Sequence, residues 1–186
     1  VGGVSLAAAF VIMVDKMANS ETASFRFKRI LAWLHPEEYV SDTGYQTLQA
    51  LYAIGSGGIW GKGLGQSMQK LGFIPEAQND MIFSIICEEL GLFGAIAIIL
   101  MFVMLIWRLM VIANNAPDLF GALLVVGVMG HMAIQVILNI AVVTATIPNT
   151  GISLPFISYG GTAVLFQLAE IGIVLNVAKK IPLKDA

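Results

Sequence analysis

Charged residues are scarce in this sequence. Asp, Glu, Lys and Arg make up 12% of its 186 residues, against about 25% in an ordinary globular domain. The net charge of −2 gives no electrostatic reason to expect a nucleic-acid partner. The single cysteine, Cys87, cannot form an internal disulfide, and with two histidines a histidine-based metal site is poorly supported.

Apolar residues, by contrast, make up 58% of the chain, and the mean hydropathy of +0.84 is typical of an integral membrane protein. A helix needs about 20 mainly apolar residues to cross the hydrocarbon core. We therefore predict an all-α, polytopic membrane protein, with a truncated span at 1–14 and full spans at 82–107, 119–146 and 162–178. Val1 begins inside an apolar stretch without the basic start of a signal peptide, so we expect the N-terminal part of a longer protein to be missing.

Basic residues on the short connections predict the orientation, because such residues are enriched on the cytoplasmic side. Arg108 and the tail 179–186 carry them, whereas the loop 147–161 has no Lys or Arg. The tail is therefore predicted to be cytoplasmic. Alternation then places 147–161 and the long segment 15–81 on the outer face. Within that long segment, residues 45–54 are predicted to form a short helix.

A glycine-rich run lies within that long segment, with six glycines between Gly55 and Gly65. It is not a nucleotide-binding P-loop, because Lys62 is followed by Gly63 where that motif needs Ser or Thr. Two interpretations remain open. The run is either a tight re-entrant or surface turn, or a site that contacts a phosphate-bearing lipid head group.

Asp80 is the sharpest candidate for chemistry. It directly precedes the apolar run of the second span, and Glu76 lies four residues earlier, on the same helical face. A carboxylate at a helix N-terminus is stabilised in its charged form. Position alone leaves two interpretations, a cap or interface anchor and a catalytic base.

Two further carboxylates, Glu88 and Glu89, lie seven and eight residues into the same predicted span. At about 1.5 Å per residue this is roughly 10 Å below the interface, where ionisable groups are functional candidates by default. Glu88 shares the helical face of Asp80. It either lines the floor of a site beneath Asp80 or is a structural carboxylate paired with a neighbouring element.

Polar residues also follow one stripe of the third span, at His131, Gln135 and Asn139. Such a stripe forms either a hydrogen-bonded seam between helices or the wall of a solvated cavity, and Gln167 with Glu170 in the last span allows the same two interpretations. The loop 147–161 must be covered by protein or wet, because exposed irregular backbone is not tolerated in lipid. It is a candidate second wall of the Asp80 site.

Several sequence blocks resemble the C-terminal half of the shape, elongation, division and sporulation (SEDS) proteins, the FtsW/RodA group. The matching blocks keep their order and spacing over nearly the whole chain. They are Gly44-Tyr45-Gln46, Ile54-Gly55-Ser56-Gly57-Gly58, Gly61-Lys62-Gly63-Leu64-Gly65-Gln66-Ser67, Phe73-Ile74-Pro75-Glu76, Asp80-Met81-Ile82-Phe83, Glu88-Glu89-Leu90-Gly91 and Leu154-Pro155-Phe156-Ile157-Ser158-Tyr159-Gly160-Gly161. The Gly-Tyr-Gln and Gly-Leu-Gly-Gln-Ser blocks are closer to the division and sporulation branch.

The resemblance implies a ten-span protein of the bacterial cytoplasmic membrane, of which this chain is roughly the last four spans. It implies a peptidoglycan glycosyltransferase that polymerises lipid II at the outer face, together with a class B penicillin-binding protein (a transpeptidase) and divisome proteins. The family's catalytic aspartate maps onto Asp80. Asn79 and Met81 stand where the family has Thr and Phe, and Gln78 replaces a frequent His.

The resemblance also gives roles to other residues. Asp80 would be the general base. Substrate-binding candidates are Glu76, Lys62, Lys70, Ser158 and Tyr159, with Glu88 and Glu89 in support. Glycine amides or a divalent cation, Mg²⁺ or Mn²⁺, would offset the charge of the leaving diphosphate. Gln167 and Glu170 stand where the family leads us to expect apolar residues. Two alternatives stay open: a flippase for the lipid-linked precursor, and a non-catalytic scaffold that recruits the transpeptidase.

Overall fold

A computed structural model describes residues 25–35, 43–69, 74 and 77–181. The predicted span 1–14, the candidates Lys70 and Glu76, and the end of the tail lie outside the described residues. The described residues are helical and contain no strand, which confirms the all-α prediction for them. Their helices are α1 (Phe25–Leu34), α2 (Thr43–Gly57), α3 (Ile82–Asn114), α4 (Leu119–Val143) and α5 (Gly161–Lys179).

The three helices α3, α4 and α5 are long and apolar enough to cross a membrane. They confirm the membrane-protein prediction. α4 packs against both α3 and α5, and its buried residues Val125 and Met132 share an apolar cluster with Leu109 of α3 and Val174 of α5. The large apolar side chains that point away from these contacts are exposed, as expected of surfaces that face lipid or further helices.

Gly91 divides α3 into two segments. Its backbone has φ 66° and ψ −162°, which is not helical, so α3 is kinked there. The 33 residues of α3 amount to about 50 Å at 1.5 Å per residue, more than the roughly 30 Å that a hydrocarbon core requires. The segment 92–114 is long enough to span the core alone, and the segment 82–90 carries the polar contacts described below.

α2 packs beside the segment 82–90. Gln46, near its start, contacts Asp80, and Gly57, at its end, lies against the carbonyl of Cys87. This part of the predicted outer segment therefore runs alongside the segment 82–90 and turns at the glycine-rich run. The sequence predicted a short helix at 45–54, and α2 extends it at both ends.

α1 was not predicted, because its surroundings in the sequence are polar and charged. Its residues Leu31 and Ala32 are nevertheless buried. The Trp33 indole donates a hydrogen bond to the carbonyl of Ala145, 2.7 Å away, just beyond the end of α4. α1 is thereby tied to the end of the bundle at which Asp80 lies.

Candidate active site

Asp80 lies in the turn 77–81 that leads into α3, and it is half-buried. The side-chain amide of Gln46 approaches its Oδ1 at 3.5 Å. Gln46 is held in turn by Asn149, whose Nδ2 donates to the Gln46 Oε1 at 2.9 Å. The carboxylate therefore has a weak contact with Gln46 of α2, and Gln46 is itself fixed by Asn149 of the loop 147–161.

The loop 147–161 forms a second wall beside Asp80, and the structure brings the two together as the sequence suggested. The Nδ2 group of Asn139 donates to the carbonyls of both Asp80 and Ile152, each at 2.7 Å. A Cβ built at Gly151, whose φ is +69°, would lie 4.0 Å from the Asp80 Oδ2. Tyr159 donates its backbone N–H to the carbonyl of Gln78 at 2.8 Å.

Ser158 and Tyr159, adjacent in the sequence, have different roles in this loop. Ser158 is buried, and its Oγ accepts a hydrogen bond from the backbone N–H of Leu154 at 2.7 Å, so it stabilises the turn. Tyr159 is 75% exposed and lines a cavity of about 420 Å³ with Gln78, Ile82 and Val164. Ser158 also lines this cavity, but Tyr159 is by far the more exposed of these two substrate-binding candidates.

Glu88 is completely buried and paired. Its Oε1 lies 2.6 Å from the Lys62 Nζ and its Oε2 accepts from the Ser67 Oγ at 2.5 Å. The Ser56 Oγ at 3.4 Å adds a weaker contact. This favours the interpretation of Glu88 as a structural carboxylate over that of a cavity floor, and it engages Lys62, a predicted substrate ligand, in an internal ion pair.

The glycine-rich run is a turn docked onto the kink of α3. Lys62 and Gly63 donate their backbone N–H groups to the carbonyls of Glu88 and Glu89, each at 2.9 Å, and Leu92 donates to Gly58 at 3.0 Å. The backbones are in such close contact that a Cβ at Gly61 or at Gly91 would meet backbone atoms within 2.4 Å. The tight-turn interpretation accounts for these glycines.

These backbone hydrogen bonds argue against the other interpretation of the run, a site that contacts a phosphate-bearing lipid head group. The amides of Gly61, Lys62, Gly63 and Gln66 all donate to backbone carbonyls, so none of these four is directed at a phosphate. The Glu89 side chain is half-buried, and its carbonyl serves as the acceptor for Gly63. Glu89 thus supports the turn through its backbone.

The polar stripe of α4 forms a seam. His131 lies 3.0 Å from a Glu170 carboxylate oxygen in α5, Gln135 accepts from Gln167 at 3.3 Å, and Asn139 makes the two bonds given above. Every member therefore bonds across to another element, as the seam interpretation predicts.

Sequence reasoning missed Gln46 and Asn149 as site residues. Gln46 belongs to the Gly44-Tyr45-Gln46 block of the resemblance, which was a usable signal. Asn149 offered none beyond its place in a polar loop, because its partner is 103 positions away in the sequence.

These features define a helical, multi-pass membrane protein with a polar site where the start of α3, the end of α4 and the start of α5 meet. The family profile for FtsW, RodA and SpoVE, described as "Cell cycle protein", matches residues 3–182. The chain belongs to this family.

Similar proteins agree with this assignment. The chain is 49% identical to the stage V sporulation protein E of Bacillus subtilis over 158 residues, which are 85% of this chain and 43% of that protein. It is 47% identical to the probable peptidoglycan glycosyltransferase FtsW of Trichlorobacter lovleyi over 156 residues, 84% of this chain and 41% of that protein. The chain thus spans about two fifths of the length of these relatives.

Solved structures share the fold. A crystal structure of a mutant of the rod shape determining protein RodA of Thermus thermophilus aligns with a TM-score of 0.55 and 32% identity, over 73% of this chain and 41% of that one. A chain from a study on structural coordination of polymerization and crosslinking by a peptidoglycan synthase complex aligns with a TM-score of 0.65 and 24% identity, over 98% of this chain and 49% of that one.

Proposed function

We propose that this chain is part of a peptidoglycan glycosyltransferase that polymerises lipid II into glycan strands at the outer face of the cytoplasmic membrane. The observation that carries the proposal is the half-buried Asp80 carboxylate, which Gln46 contacts, in a turn that also forms one side of the cavity lined by Tyr159. The names of the relatives support the same activity. The orientation rests on the basic residues of the tail and on Arg108, which lies in the last two turns of α3.

Asp80 acts as the general base in this proposal. It removes the proton from the acceptor sugar hydroxyl as that oxygen attacks the anomeric carbon of the donor. The new glycosidic bond forms as the bond from that carbon to the diphosphate breaks, and the lipid-linked diphosphate leaves with the electron pair. Gln46 keeps the carboxylate oriented, and Tyr159 contacts the substrate.

The described residues offer few ligands for a divalent cation such as Mg²⁺ or Mn²⁺. The described residues contain no group of three or more His, Cys, Asp or Glu side chains able to hold a metal. Mg²⁺ is, however, commonly bound through one or two carboxylates plus substrate phosphates, so the substrate diphosphate would supply most of its ligands, and the Asp80 carboxylate would keep its role as the base. Such an ion would neutralise charge on the leaving group.

Carboxylates that line a path through the membrane would favour the flippase alternative. Glu88 is instead enclosed by Lys62 and Ser67, and Glu170 pairs with His131. These contacts favour structural roles. A class B penicillin-binding protein and divisome proteins remain proposed partners, on the strength of the family resemblance.

The test is to incubate the purified complete protein with lipid II in detergent and to separate the products by gel electrophoresis. The proposal predicts glycan strands, because polymerisation needs no second membrane leaflet. A preparation that moves lipid II across vesicle membranes but makes no strands would identify a flippase. A preparation that does neither, yet still binds a transpeptidase, would identify a scaffold.

A further inference from the structure

Gln167 is a buried polar residue in a membrane-spanning helix, and the function proposed above does not use it. It is the seventh residue of α5 and is 3% exposed. A buried side-chain amide in such a helix needs partners, because neither lipid nor apolar side chains can bond it. Gln167 has two: its Oε1 accepts from the backbone N–H of Phe156 at 2.9 Å, and its Nε2 donates to the Gln135 Oε1 at 3.3 Å.

The bond to Phe156 is made at a point of backbone strain. Phe156 has φ +60°, a left-handed conformation that non-glycine residues rarely adopt. Such conformations persist only where the surroundings enforce them. The preceding residue, Pro155, has no backbone N–H to offer, so the Phe156 amide is the donor through which α5 can hold this turn.

The strained turn continues directly into the candidate active site. Three residues after Phe156, Tyr159 donates its N–H to the carbonyl of Gln78, two residues before Asp80. The Ser158 Oγ closes the same turn by accepting from Leu154. A line of contacts therefore runs from the seam inside the bundle, through Gln167 and the turn 154–158, to Tyr159 and the turn that carries Asp80.

We infer that Gln167 is a positioning residue for the transferase site, which holds the turn 154–158 so that Tyr159 lies against the Asp80 turn. This inference rests on the proposed function. The competing explanation is that Gln167 merely joins α5 to α4. The two differ in which bond matters, the one to Phe156 or the one to Gln135.

Hydrogen exchange on the complete protein, in detergent, tests the bond without reference to activity. In Gln167→Leu, the Phe156 amide should exchange at least about tenfold faster, because it loses its hydrogen bond to the Gln167 side chain. Gln135→Leu should leave that exchange rate within about twofold of wild type. Glu170→Gln, one turn further along α5, is the matched control and should also leave it unchanged. Unchanged exchange at Phe156 in Gln167→Leu would overturn the inference.

Kinetics test the positioning role. Gln167→Leu should raise the KM for lipid II about tenfold while kcat stays within about twofold, because Asp80 itself is intact. Its effect should largely disappear in a Tyr159→Ala background, since residues that act through one another are not additive. If the effects of Gln167→Leu and Tyr159→Ala on KM were fully additive, or if Gln135→Leu raised KM as much, Gln167 would only join α5 to α4. If the wild-type protein makes no glycan, the proposed function fails, and the exchange experiment still decides whether Gln167 holds the turn.

Discussion

Replacing Gly91 by alanine tests how the glycine-rich turn is held on α3. The φ of 66° and ψ of −162° at Gly91 lie in a region that is essentially restricted to glycine. A Cβ at this position would also lie 2.4 Å from the backbone nitrogen of Gly61 and 2.5 Å from the carbonyl oxygen of Ile59. Both neighbours are backbone, so the turn must move as a unit or the helix must change its kink.

The free-energy cost of Gly91→Ala follows from these contacts. The unfavourable backbone conformation contributes about 1–3 kcal/mol. Moving the turn breaks the backbone bonds that join it to α3, which are those donated by Lys62, Gly63 and Leu92 and a longer one, 3.5 Å, from Phe93 to the Ile59 carbonyl. Each of the first three is worth about 0.5–1.5 kcal/mol. The docked state should therefore lose at least about 3 kcal/mol of free energy, which is on the order of a hundredfold in its population relative to open states.

The reactivity of the Cys87 thiol reports how often the glycine-rich turn leaves α3. Cys87 is 6% exposed, lies one helical turn before Gly91, and its carbonyl packs against Gly57 of the turn. In the complete protein, with any other cysteines replaced by serine, the rate of Cys87 alkylation by a small maleimide should rise about a hundredfold in Gly91→Ala, because labelling requires local opening.

Gly172→Ala is the matched control, because a Cβ there would meet nothing within 4 Å and alanine favours the helix. Its labelling rate should stay within about twofold of wild type. Equal labelling rates in the two variants would refute the docking account.

Further predictions follow from other contacts. Lys62→Met should destabilise the protein by about 2–3 kcal/mol, because buried Glu88 loses its charge partner and keeps only hydrogen bonds from neutral groups; adding Glu88→Leu should restore much of the lost thermal stability, and if it does not, the ion pair is not the cause. Gln46→Ala should cost about 1 kcal/mol through the lost bond from Asn149 and slow glycan synthesis about tenfold, because the Asp80 carboxylate loses its contact with Gln46; an unchanged rate would remove Gln46 from the site. Trp33→Phe should cost about 1 kcal/mol, the net value of one hydrogen bond, as a lower melting temperature; an unchanged one would show that the indole bond contributes nothing.

The sequence predicted the membrane helices well, because a run of about 20 apolar residues has few alternatives to a spanning helix. The three predicted starts, 82, 119 and 162, lie within one residue of those of α3, α4 and α5. The end of α3 was placed at 107, before a charged residue, whereas the helix continues through Arg108 to Asn114. A long basic side chain near a helix end can reach the interface without ending the helix.

The tertiary contacts of the site were much less predictable. The partner of Glu88, Lys62, is 26 positions away, and their pairing depends on how the glycine-rich turn meets the kink at Gly91. Before the fold was known, Lys62 was a reasonable phosphate ligand. Gln167 was unexpected in an apolar helix, and only the strained turn at Phe156 gives it a role.

The most direct test of the central claim is the rate of lipid II polymerisation by Asp80→Asn in the purified complete protein. The substitution keeps the shape of the side chain but removes the base, so the rate should fall at least about a hundredfold with the melting temperature little changed. Asp118→Asn is the matched control, since Asp118 caps α4 at the opposite end of the bundle and asparagine caps helices equally well; its rate should remain that of wild type. Wild-type polymerisation by Asp80→Asn would contradict the assignment of Asp80 as the catalytic base.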